Sequence, residues 1–92
     1  MAYLLIKGSV KDYGAWKPVF DSLSDFRKRT GEKSHQILRQ DDGDNNVVIL
    51  FEWDNLDNAR SYAASPELKD AMQRGGVRGK PEILFLEEAA RG

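Results

Sequence analysis

The chain has no cysteine, a single histidine and only three prolines in 92 residues. Without thiols there is no disulfide, no cysteine nucleophile and no thiolate zinc site, and the composition is compatible with the cytoplasm. One histidine leaves little room for a Ser-His-Asp triad, and no paired-carboxylate spacing is recognisable. Long apolar runs are missing: Tyr3 to Ile6 is too short for a signal segment and has no basic stretch before it. Nothing approaches the roughly 20 apolar residues of a membrane span. A charge excess is missing too. Fourteen basic and fifteen acidic residues leave a formal net charge of -1. The one basic run, Arg27-Lys28-Arg29, reads as the wet end of a helix rather than a phosphate-binding surface. Neither nucleic acid nor a membrane is expected as a partner. No repeat or linker divides the chain, so a single domain over 1–92 is expected. A chain of this size buries about 60–65% of its unfolded surface, which makes an adequate but thin core.

What is present is a clear alternation of patterns. Tyr3 to Val10 is a strand with Leu4, Ile6 and Val10 on one face and Tyr3, Leu5, Lys7 and Ser9 on the other. Asp12 is placed to cap a helix reaching about Thr30, with an apolar stripe of Tyr13, Trp16, Phe20, Leu23 and Phe26. Pro18 inside that stripe crowds the carbonyl of Gly14, and Gly31 ends the helix. Lys33 to Gln40 is a second strand with neither face fully apolar, as suits an edge. Asp41 to Asn46 is a hairpin connection. Val47 to Asp54 is the most apolar strand and belongs in the centre. Asn55 caps a helix to about Ala64. Ser65, Pro66 and Glu67 restart it as N-cap, first helical residue and first-turn acid, and Gly75-Gly76 stops it. Pro81 is expected to open a last strand, Glu82 to Glu88.

The order β-α-β-β-α-β gives an α+β, ferredoxin-like fold: a four-stranded antiparallel sheet with two helices on one face. Two helices cover only one face of the sheet. The other would expose Leu5, Val48, Leu50 and one side of the last strand, an apolar patch larger than a monomer usually leaves in water. A homodimer packing sheet on sheet is the economical solution. Lys7 and Glu52 on that face suggest a partly polar space between the sheets.

Trp53-Asp54-Asn55-Leu56, followed by Ala59, Tyr62, Ser65-Pro66-Glu67-Leu68, Ala71-Met72, Gly76-Val77 and Pro81, resembles the antibiotic-biosynthesis-monooxygenase-like branch of the dimeric α/β-barrel superfamily. The resemblance spans nearly the whole chain and implies two such domains joined as an α/β barrel. It also implies a range of activities: cofactor-free oxygenases of polycyclic phenols and quinols, haem-degrading oxygenases, isomerases, and members without an established reaction. Haem-degrading relatives carry Trp at the position of Tyr62 and the iron-ligating His at the position of Met72. Both departures disfavour haem breakdown, and no cofactor or metal is expected. The cofactor-free oxygenases use Trp, Tyr, Asn and Arg around a flat aromatic substrate. Trp53 and Tyr62 match in type and place, whereas Asn55 and Arg39 match in type only.

The candidate residues each have a plainer reading. His35 is the only side chain of the kind that titrates near neutrality, and it is a candidate base if its face points inward; otherwise it is an exposed edge-strand residue. Glu52 sits in the most apolar strand, where a desolvated carboxylate can move protons; it would otherwise pair with Lys7 or Arg39. Trp53, Tyr62, Arg39, Trp16 and Met72 are candidates for binding a flat ligand, against core packing for most of them. Asp42, Asp44 and Asn46 match the first positions of a calcium loop, but Val47 and Trp53 stand where that loop needs Gly and Glu, so turn chemistry explains them better. The favoured expectation is a small-molecule enzyme of the cofactor-independent monooxygenase type. Its alternatives are an isomerase or cyclase on the same scaffold and a non-catalytic metabolite-binding or stress-related dimer.

Overall fold

A computed structural model describes residues 1–41 and 45–92. The calcium-loop reading at Asp42 and Asp44 falls outside the described residues. Eight elements follow in order: β1 (Ala2–Val10), α1 (Tyr13–Ser22), α2 (Ser24–Thr30), β2 (Glu32–Arg39), β3 (Asn46–Trp53), α3 (Leu56–Ala63), α4 (Pro66–Arg74) and β4 (Val77–Glu87). The strands form one antiparallel sheet in the order β2-β3-β1-β4. This is the ferredoxin-like arrangement, with each of its two helical connections split in two. Among the described residues, no helix is long and apolar enough to cross a membrane.

Strand alternation decides which face is core. Leu4, Ile6, Ile49, Phe51 and Trp53 are buried under the helices. Register places Leu4 beside Phe51 and Phe51 beside His35, so His35 lies on the helix-covered face. The opposite face carries Leu5, Leu50 and Leu84 in one cross-sheet row and Tyr3, Glu52 and Leu86 in the next. Among the described residues nothing covers it: Leu38, Leu84 and Leu86 are 46%, 41% and 38% exposed.

The helix expected to run unbroken to Thr30 is instead two helices. At Leu23 the backbone leaves helical geometry, its N–H turning back to the carbonyls of Asp21 and Phe20. The break lets α2 swing so that Arg27 points inward. Arg27 is fully buried, contrary to its reading as part of a solvated basic end. The last strand also starts earlier than expected, at Val77 rather than after Pro81. Pro81 is tolerated there for two reasons. β4 is an edge strand, and its pairing with β1 slips between Lys7 and Ser9, so Pro81 falls in a bulge where a donor is not required. The caps match the sequence. Asp12 accepts from the Ala15 N–H at 2.9 Å, Asn55 from Asn58 at 2.8 Å and Ser65 from Leu68 at 3.2 Å.

Gly31 joins α2 to the sheet. Its φ is 127°, and its carbonyl accepts from the Asp54 N–H at 2.9 Å. A Cβ there would lie 2.8 Å from Trp53 Nε1 as well as against the Asp54 carboxylate. Gly31→Ala therefore combines backbone strain with a clash and is expected to destabilise the fold by about 2 kcal/mol or more, read as a lowered urea midpoint at unchanged slope.

Candidate functional site

The space between sheet and helices is not completely filled. A cavity of about 50 Å³ lies between α1 and α4 above the inner ends of β1 and β3, with Trp16, Phe20, Phe51, Tyr62 and Met72 among its walls. Two glycines shape it. Gly8 presents no side chain to it, and a Cβ there would press on Pro81 at 3.3 Å. Gly75 lets the Trp16 ring approach the end of α4, where a Cβ would lie 2.9 Å from Trp16 Cδ1. The lining is almost wholly apolar, and none of its side chains is a carboxylate, lysine, arginine or histidine. The cavity can hold a few water-sized bodies; pockets for drug-sized ligands run to about 300–1,000 Å³. A flat polycyclic molecule does not fit in a space of this size.

Behind Phe20 lies a buried polar cluster. Arg27 Nε donates to Glu32 Oε2 at 2.8 Å, with both side chains almost completely buried. Arg27 Nη1 donates to the Phe20 carbonyl at 2.7 Å, and the guanidinium carbon lies 3.8 Å from the Phe20 ring centre. Nη2 has no hydrogen-bond partner among the described residues. His35 Nδ1 lies 3.3 and 3.4 Å from the two oxygens of Glu32. The imidazole sits edge-on to Phe20, with ring centres 5.0 Å apart, and 6.3 Å from Phe51. Phe20 and Phe51 thus separate His35 from the cavity while touching both.

The candidates divide among these places. Trp16, Tyr62 and Met72 line the cavity. Trp53 stands one layer behind, fully buried, stacked on Tyr62 at 4.9 Å and donating Nε1 to the Thr30 carbonyl at 3.2 Å. It supports a wall rather than forming one. Arg39 is at the outer end of β2, its guanidinium 4.3 Å from the Tyr13 ring centre beside α1. Glu52 is on the opposite face of the sheet, paired in register with Tyr3 and Ser34, so it cannot share a ligand with His35 within one chain. Asn55 is spent as a helix cap. Sequence reasoning passed over Glu32 and Arg27. The signal for Arg27 was its spacing: it continues the apolar stripe of Phe20 and Leu23 at three- and four-residue steps.

Solved structures match this arrangement over nearly its whole length. SnoaB, a cofactor-independent oxygenase from Streptomyces nogalater, superimposes with a TM-score of 0.79 at 20% identity, covering 98% of this chain and 94% of that one. The fold is that of the antibiotic-biosynthesis-monooxygenase structures. A Bordetella bronchiseptica protein provisionally assigned as an antibiotic biosynthesis monooxygenase matches with a TM-score of 0.79 at 9% identity, covering 97% of each chain. A conserved protein from Methanosarcina mazei matches with a TM-score of 0.73 at 14% identity, covering 95% of this chain and 91% of that one. No family model matches the sequence, and no curated protein does. At these identities the likeness to the monooxygenase-type structures is one of fold.

Burial pushes the Tyr62 phenol up from 10.0 to about 12, although the Arg27 guanidinium nearby pulls it down. Tyr62 is therefore a neutral hydrogen-bonding group at any working pH. Because its folded value is raised, its contribution to stability is complete below pH 10 and is lost as pH rises from 10 to 12. The full loss is on the order of 2–3 kcal/mol. Tyr62→Phe is expected to flatten this alkaline fall in stability, measured by urea unfolding at a series of pH values.

Proposed function

We propose that this protein is a homodimeric, cofactor-independent oxygenase that acts on a flat, partly apolar aromatic molecule of the quinol or anthrone kind. The observation that carries the reading is the aromatic cavity between sheet and helices with the chain's one histidine held against its wall. The fold shared with SnoaB, itself a cofactor-independent oxygenase, supports it.

In this reading α1 shifts outward and the flat ring system slides between Trp16, Phe20 and Phe51, reaching His35 past the Phe20 edge. His35 removes a proton from a phenol or from a methylene between two aromatic rings. The resulting anion is electron-rich enough to react with dioxygen directly. For a methylene, one oxygen atom becomes the new carbonyl and the other leaves as water, with both hydrogens and all electrons coming from the substrate. Tyr62, neutral at working pH, can donate to a substrate oxygen. The apolar lining shields the anion from bulk water.

Oxygen consumption with a panel of quinols and anthrones is the test. His35→Ala is expected to lose at least about a hundredfold in kcat/KM while remaining folded, in line with general base catalysis. No uptake by the folded protein across the panel sinks the oxygenase reading. Turnover of the same compounds without oxygen would instead favour an isomerase or cyclase.

The uncovered sheet face supports the second half of the reading. Leu5, Leu50, Leu84 and Leu86 form a continuous apolar surface of the kind that a second copy covers face to face. Leu84→Glu is expected to shift the molecular mass measured by light scattering from dimer to monomer. A wild-type monomer at micromolar concentration would rule the dimer out.

A further inference from the structure

Among the described residues, only the Arg27–Glu32–His35 cluster joins a buried ion pair to a half-exposed proton acceptor under the helices. Glu32 is nearly completely buried beside Arg27, whereas the His35 side chain is 32% exposed. We propose that Glu32 is the positioning residue for His35, taking its Nδ1–H and leaving the Nε2 lone pair as the proton-accepting atom, with the ring packed behind the Phe20 and Phe51 walls of the aromatic cavity.

A carboxylate paired with a guanidinium accepts hydrogen bonds and donates none. Both Glu32 oxygens lie within 3.4 Å of Nδ1, so the neutral imidazole meets them favourably only with its proton on Nδ1. These distances are at the long end for a hydrogen bond, as is usual for catalytic contacts without a substrate. Nε2 has no partner among the described residues. The remaining groups packed around the ring are Phe20 from α1 and Phe51 from β3, both apolar. Arg27 from α2 is held by Glu32 and the Phe20 carbonyl, so it fixes the carboxylate without competing for Nε2. The ring is thus oriented by the same triad logic that orients a catalytic histidine through a carboxylate. Phe20 contributes its carbonyl and ring face to Arg27 and its ring edge to His35, so an α1 movement that admits substrate passes directly through the cluster.

This inference rests on His35 acting as the base in the proposed function, and the test reads the two separately. His35 is the only histidine, so its two ring nitrogens are assigned without ambiguity by nitrogen-15 NMR. At alkaline pH the wild-type ring is expected to carry its proton on Nδ1. The double variant R27M/E32L replaces the ion pair with apolar side chains, an exchange that buried pairs often tolerate. There the proton is expected to move to Nε2, the ordinary preference of a free imidazole. A wild-type ring protonated on Nε2 overturns the proposal, as does an unchanged tautomer in a folded double variant. If the double variant does not fold, the wild-type spectrum still decides. Nδ1 protonation without any oxygen uptake supports Glu32 as the positioning residue and removes the oxygenase reading alone.

Discussion

The ion pair between Arg27 and Glu32 is the constraint on which most of the helical layer depends. Two charges are taken out of water, and each requires nearly complete compensation. Glu32 obtains it from Arg27 and His35, and Arg27 from Glu32, the Phe20 carbonyl and the Phe20 ring. These contacts tie three elements together: the end of α1, the middle of α2 and the first residue of β2. An unbroken helix from Tyr13 to Thr30 would leave the Phe20 carbonyl within its own helical ladder. The turn at Leu23 leaves that carbonyl shared between the Leu23 N–H at 3.2 Å and the guanidinium at 2.7 Å, and sets how α1 lies over the sheet. The position of Phe20, and through it the shape of the cavity and the aspect of His35, follows from that turn.

A second layer of order comes from aromatic stacking. Phe51, Trp53 and Tyr62 contact one another at ring separations of 4.9 to 5.8 Å. Trp53 is fixed further by its bond to the Thr30 carbonyl, next to Gly31. The inner end of the cavity is therefore rigid, backed by a strand and a capped helix. Its outer end is formed by α1, which contains a proline and ends in an irregular turn.

Much of this was legible in the sequence because it depends on local rules. Caps at Asp12, Asn55 and Ser65, stops at Gly31 and Gly75, and the alternation of β1 and β3 fix the element order, and with it the fold and the bare sheet face. What escaped depends on tertiary partners. Arg27 looked solvated because its neighbours Lys28 and Arg29 are, and only Glu32 and the Phe20 carbonyl make its burial affordable. Pro81 looked like the start of a strand, since nothing local announces the slip in pairing opposite Gly8. Glu52 and His35 looked like alternatives for one role. Edge-strand register, which the mixed faces of β2 left open, puts them on opposite sides of the sheet.

The alternation of β3 has a consequence of its own. Its odd-numbered residues, Val47 to Trp53, build the cavity and its backing, and its even-numbered residues, Val48 to Glu52, form the bare face. One eight-residue segment thus carries two interleaved texts for two different readers, separated only by the thickness of a pleat. Substitutions can edit either text without touching the other, so the cavity lining and the chemistry of the bare face can change independently. Insertions have no such freedom. A single added residue would exchange the two texts along the rest of the strand, placing Trp53 in the open and Glu52 under the helices.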